Sequence, residues 1–369
     1  MMLRAAVLAW ALALAVPSFS ADTKPAATFE QVSRAAKAAR DQNQDAEAIR
    51  LFRQGLRLKP DWDEGLWYLG TLLYEKEEFA EARDLLRHFV AQNPKSGPGW
   101  AILALSEYHT REYQRSLEHL QRCQTYGVGD RKELADSVFY VVAVLLTRLE
   151  QYDDAMTLLF QLRSAGQAEA NIIEPLGLAA LRMPLLPAEI PQDRRPMIRM
   201  AGAGALALEG QHREEAEQKF RDMTAAYPDE PGVHFLLGAF LLDERPEDGI
   251  SEMKRELEIS PSHLAARLRL AQEYIRQQNF GAALPLAQQA LELDPKDPSA
   301  HMVLGETLVG KGGLTAGIHE LETARDLAPD LTRIRWDLVR AYTAADRGED
   351  AQREKQEIEK LNQQNAKPE

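Results

Sequence analysis

Small residues recur in this chain at an almost fixed interval, and that interval limits it to a stack of short helix pairs. Ala48, Ala82 and Ser116 are 34 residues apart, and Ala216, Gly249, Ala283, Gly317 and Ala351 follow one another at 33 or 34. Prolines keep the same beat at Pro60 and Pro94, then at Pro228, Pro261, Pro295 and Pro329. A two-helix unit needs a small residue where its helices cross, because bulk there holds the axes apart. It also needs a stop where the second helix ends, and proline cannot donate the backbone hydrogen bond that would continue it. One such unit cannot bury its own apolar face, so copies must stack.

The clearest copy is LAARLRLAQEYIRQQNFGAALPLAQQALELDP, residues 264–295. Its first helix carries Leu270, Ala271 and Tyr274, its second Ala283, Ala287 and Ala290, and Phe280 fills the turn between them. The apolar spacing of three and four residues gives each helix one buried stripe. Leu69-Gly70 with Ala82, Leu103-Ala104 with Ser116, Val142-Ala143 with Ala155, Ala203-Gly204 with Ala216, Leu237-Gly238 with Gly249, Leu304-Gly305 with Gly317 and Leu338-Val339 with Ala351 repeat the same chemistry. A weaker, Ala-rich copy occupies residues 32–60.

This pattern resembles the tetratricopeptide repeat family over nearly all of the chain beyond its first segment. The resemblance implies an all-α, right-handed superhelical solenoid of stacked antiparallel helix pairs, with about eight to nine repeats. It divides the chain into a four-repeat array at residues 29–163, an irregular stretch at 164–196, a second array at 197–348 and a charged capping helix and tail at 349–369. Within the irregular stretch, residues 184–196 (PLLPAEIPQDRRP) hold four prolines. They forbid a regular second helix, so Leu176-Gly177 is expected to sit on an orphan first helix followed by a long loop, a joint rather than a binding loop.

At the N-terminus Arg4 precedes an apolar run at residues 5–16, then Pro17 and the small residues of Ser18-Phe19-Ser20. That is the layout of a secretory signal peptide, at residues 1–20 with cleavage after Ser20. The run is too short for a membrane span, which takes about 20 residues, and no second run is longer, so no stable membrane insertion is expected. The expected product is exported, periplasmic or secreted. Removing Arg4 takes the formal charge from −13 to −14. That acidity argues against nucleic acid, whose binding rests on a basic footprint. Cys123 is the sole thiol, so no internal disulfide is available and stability must come from packing.

GETLVGKGG, residues 305–313, comes within one residue of a phosphate-binding loop. Such a loop needs a strand before it and a Ser or Thr after the lysine, and here a helix pattern precedes it and Gly312 takes the hydroxyl's place. The glycines are expected to form an inter-helix turn with Lys311 in solvent. The eight histidines form no HExxH and no cysteine–histidine set, and Cys123 falls at a packing position. No catalytic residues, metal ligands or cofactor are expected.

In the family the first helices line a concave groove. The exposed positions that the resemblance implies include Trp67, Tyr74, Leu105, Tyr108, Tyr140, Phe235, Ile275, Met302, Trp336 and Arg340, a largely apolar and aromatic stripe suited to a protein or peptide partner. The function this implies is an exported, non-enzymatic scaffold in envelope complex assembly. An alternative is an accessory or regulatory subunit of an envelope enzyme acting on polysaccharide or peptidoglycan, and a third is self-association through the groove.

Overall fold

The computed structural model describes residues 28–365, so the expected signal peptide lies outside the described residues. Those residues form nineteen α-helices and one short 3₁₀ helix, with no strand among them. Two compact units divide the chain, one of residues up to 112 with 122–127, the other of residues 113–121 with 128 onward.

In the first unit α1 (Phe29–Asp41) packs on α2 (Asp45–Leu58), α3 (Asp63–Glu75) on α4 (Phe79–Gln92), and α4 on α5 (Gly97–His109). α6 (Tyr113–Tyr126) contributes residues to both units. The second unit continues with α7 (Lys132–Arg148), α8 (Tyr152–Ser164), α9 (Glu169–Ala180), α10 (Arg195–Glu209), α11 (Arg213–Ala226), α12 (Val233–Leu241) and α13 (Pro246–Ile259). It ends with α14 (Leu264–Arg276), α15 (Phe280–Leu293), α16 (Pro298–Gly310), α17 (Leu314–Leu327), α18 (Thr332–Ala344) and α19 (Gly348–Asn365). In the second unit successive helices from α7 to α19 pack on one another, and α14 with α16 and α16 with α18 also meet directly, so its first helices form one layer of stacked helix pairs.

Local chemistry explains where these helices begin and turn. Ser96, His263, Asn279 and Asp297 each accept a hydrogen bond from the backbone N–H three residues on, capping the helices they precede. The turn inside a pair puts one residue in the left-handed region. Asn43, Glu77 and Arg111 do so in the first unit, and Gln278, Gly312 and Asp346 do so at the same 34-residue interval in the second. Gly312 is therefore a turn residue between α16 and α17, with a helix ahead of it as the sequence implies.

A second device closes the joint between repeats. The side chain six residues after the repeat-ending proline reaches back to that proline's carbonyl oxygen, and five different positions do so: Trp100 to Pro94, His234 to Pro228, Arg267 to Pro261, His301 to Pro295 and Arg335 to Pro329. The proline carbonyl has no helical partner beyond the chain stop, so an indole, imidazole or guanidinium satisfies it equally well.

The irregular stretch departs from the repeat as its prolines require. α9 lacks a second helix of its own and lies directly on α10, where Gly177 and Gly202 are the closest points. A Cβ at either would run into a backbone carbonyl oxygen, of Ile198 or of Ile173. The loop that follows is tied down: Arg148 donates to Pro184 O at 2.6 Å, Leu186 and Ile190 are buried, and Arg194 pairs with Glu230 at 3.3 Å. At the far end α19 packs on α18 through Ala351, Glu354 and Ile358, and Glu354 is clamped by Arg325 and Arg335. On α7 Phe139 is exposed, and its neighbour Val138 is buried.

Candidate functional site

The second unit holds an open cleft of about 1010 Å³. Its walls come from the N-terminal halves of α14, α16 and α18 and from the end of α9 with the loop beyond it, so Leu268, Met302 and Arg333 face the same space as Arg182 and Leu185. Arg269 and Arg333 line it with guanidinium groups, and Asp153, Asp154 and Glu230 with carboxylates. A cleft with apolar floor and charges of both signs suits an extended chain better than a small apolar ligand.

Arg182 fixes one end of the cleft. It holds a left-handed backbone after α9, pairs with Asp153 at 3.2 Å and sets its guanidinium 5.4 Å from the Tyr152 ring and 5.3 Å from the Phe235 ring. Behind it, His263 caps α14 by accepting from Ala266 N, with its ring 4.7 Å from Phe235. Burial, then the charge of Arg182, pushes the His263 imidazole down to about 4, so it is neutral and free to accept. Fully buried Glu256 caps α12 in turn, accepting from Gly232 N at 2.8 Å and Phe235 N at 3.2 Å. Burial raises the Glu256 carboxyl above the usual carboxylate range even with those donors.

The stripe expected from the sequence divides into three groups. Trp336 and Arg340 are exposed. Trp67, Tyr74, Tyr108, Tyr140 and Ile275 are half-buried: the Trp67 ring lies 5.2 Å from Phe89, and Tyr74 packs on Phe79 at 5.5 Å, itself stacked on His109 at 3.9 Å. Leu105, Phe235 and Met302 correct the expectation of exposure, since all three are buried. Phe235 is covered by Ala266 and Leu270 of the next first helix, and Met302 lies in a core with Leu268, Ile334 and Leu338. For these two residues of the second unit, the leading edge of one first helix is roofed by the following one.

Glu306 and Asp337 form a pair of carboxyl groups in the second unit. The structure brings their carboxyl groups together from α16 and α18, with Arg340 joined to Asp337 and 3.8 Å from Glu306. Cys123 is buried, and burial pushes its thiol up to about 11. Among the described residues no group of three or more His, Cys, Asp or Glu is placed to hold a metal ion.

Three comparisons bear on this architecture. A tetratricopeptide repeat family model matches residues 33–97, 69–126 and 268–330. A curated relative, anaphase-promoting complex subunit 3 of Dictyostelium discoideum, is 30% identical over 83 residues, which is 22% of this chain and 9% of that protein's length. Among solved structures, MamA from Desulfovibrio magneticus RS-1 is 19% identical with a TM-score of 0.42, covering 46% of this chain and 97% of that one. Another MamA crystal structure gives 19% and 0.40 over 45% of this chain and 97% of that one. Where the family model matches, at residues 33–126 and 268–330, the chain carries tetratricopeptide repeats, with the helix pairs, small crossing residues and repeat-ending prolines described above.

Proposed function

We propose that this chain is an exported, non-enzymatic scaffold that holds an extended segment of a protein partner in the cleft of its second unit. The observation that carries the reading is the cleft itself: first helices of three successive repeats present side chains to one open space, lined by apolar residues and by both signs of charge. Main-chain groups of a bound segment can be met by those polar side chains while its apolar side chains cover the half-buried Leu264 and Leu185. Trp336, exposed on α18, adds a large ring of the kind that anchors an interface.

Export rests on the basic residue, short apolar run and small residues at positions 4–20, and a role in an envelope complex on that export. The partner reading is tested by crosslinking through a photoreactive residue at Arg269, exposed in the cleft, in the native host, followed by mass spectrometry. Recovery of one protein crosslinked at Arg269 but not at Leu58, an exposed control site in the first unit, supports it. The same proteins recovered from both sites would sink it.

A further inference from the structure

The Glu306 and Asp337 carboxyl groups meet between two successive first helices, and the meeting has an unusual hydrogen-bond balance. Asp337 is buried, one of its oxygens takes a guanidinium N–H of Arg340, and the other, Oδ2, is buried with no donor on any described residue. Its neighbour there is a second carboxyl group, which donates only when it carries a proton. A buried acceptor left unmet is costly, and two like charges in one desolvated site are more so; a single proton on Glu306 relieves both.

The charged groups acting on this pair are few. From α18 come Arg333, at the cleft wall, and Arg340, two-thirds exposed. Arg269 of α14 lines the same cleft as Arg333, and the following charges on the other packed helices are engaged elsewhere. Glu273 of α14 is held by Arg276 and Gln277, and Arg267 by Gln289. On α17, Glu320 is held by His301 and Glu322 by Tyr342, while Glu354 of α19 sits between Arg325 and Arg335. On α15, Glu292 acts on Arg267 rather than on the pair.

We propose that the Glu306–Asp337 pair is a proton-operated device in the groove: with one proton it carries a single negative charge and holds Arg340 and Arg333 loosely, and on losing that proton it draws both guanidinium groups onto itself. The face of α18 then offers more free cationic charge to a bound segment in the protonated state than in the deprotonated one. Burial first, and the Asp337 charge second, push the Glu306 carboxyl up to about 7, which puts the change near neutral pH. That this alters partner capture rests on the groove reading above, whereas the titration belongs to the free chain.

The test uses the full chain without a partner, carrying 5-fluorotryptophan, with the Trp336 resonance identified by Trp336→Phe and followed by ¹⁹F NMR from pH 5.5 to 8.5. Trp336 lies next to Asp337 in the chain and is exposed beside it, so its ring reports the local charge. The expected result is one transition with a midpoint near 7 that disappears in Glu306→Gln. Arg340→Ala should move the midpoint up, because the deprotonated pair loses a cation. A folded chain whose Trp336 signal does not change, or a transition that survives in Glu306→Gln, overturns the proposal. If Glu306→Gln does not fold, a midpoint that stays or falls in Arg340→Ala overturns it instead. Loss of crosslinking at Arg269 with the titration intact would count against the groove reading alone, and an absent titration with crosslinking intact against this device alone.

Discussion

His234 ties the proline that ends one repeat to the second helix of the next, with Nε2 2.9 Å from Pro228 O and Nδ1 2.5 Å from a Glu252 carboxylate oxygen. Both ring nitrogens face acceptors, an arrangement that only the doubly protonated ring satisfies in full. Accordingly the Glu252 hydrogen bond raises His234 above the ordinary imidazole value, against the opposing effect of burial. With the folded value above the unfolded one, the stabilisation is fully present below the unfolded value of about 6.5 and fades as pH rises through the folded value. His234→Gln is expected to lower stability by about 1–2 kcal/mol at pH 6 and by less at pH 8.5, read from urea unfolding at both. An equal loss at the two pH values would contradict the charged clasp.

His263 has the opposite sign. Burial and Arg182 hold it down to about 4 in the fold, so the unfolded chain takes up its proton first as pH falls. Stability is lost across the window from about 6.5 down to about 4, and none is lost above it. His263→Asn keeps a helix-capping acceptor and removes the titration, so its acid unfolding midpoint should lie at lower pH than that of the parent. A midpoint that does not move, or moves up, would show that His263 does not limit acid stability.

The inter-helix turns offer a matched pair of substitutions. Gly312 has φ of +87° and open space where a side chain would stand, so Gly312→Ala pays the left-handed backbone alone, about 1 kcal/mol. Gln278, at φ +57° in the preceding repeat, is the mirror experiment, and Gln278→Gly is expected to gain up to about 1 kcal/mol. Opposite shifts in urea midpoint check both; two losses would mean that Gln278 is held by something other than its backbone.

The sequence and the structure agree where periodicity alone decides. Small crossing residues and repeat-ending prolines located the helix pairs, and the four prolines of residues 184–196 foretold that α9 has no second helix. What the sequence could not display is how far one first helix roofs another. Position in the repeat marked Leu105, Phe235 and Met302 as surface, yet coverage depends on the neighbouring helix's own side chains, which no single-repeat pattern contains. The same limit hid the Glu306–Asp337 pair and the proline clasps. Their members lie in different repeats or use unlike side chains, Trp, His or Arg, for one backbone carbonyl.

Cys123 is buried in the second half of α6, and the raised thiol value leaves almost no thiolate at neutral pH. A thiol reagent should therefore label it slowly in native buffer at pH 7.5 and at an ordinary rate in 6 M guanidinium. Fast native labelling would show that α6 opens or that the thiol is activated.

Trp336 and Trp67 separate a partner-facing ring from a packing ring. Trp336 is 46% exposed, so Trp336→Ala should cost at most about 1 kcal/mol of stability, close to the range of surface substitutions. Trp67 is half-buried against Phe89, and Trp67→Ala should cost about 2 kcal/mol, below the roughly 3–5 of a fully enclosed ring. Binding should invert that order if the groove face of α18 meets the partner. Loss of an anchoring ring worth about 2 kcal/mol weakens Kd about 30-fold, so Trp336→Ala should lose the crosslinked partner while keeping its Tm. Trp67→Ala, in the other unit, should lower Tm and keep the partner. Retention of the partner by Trp336→Ala at an unchanged Tm would remove α18 from the interface and leave the loop wall, with Arg182 and Leu185, as the face that recognises it.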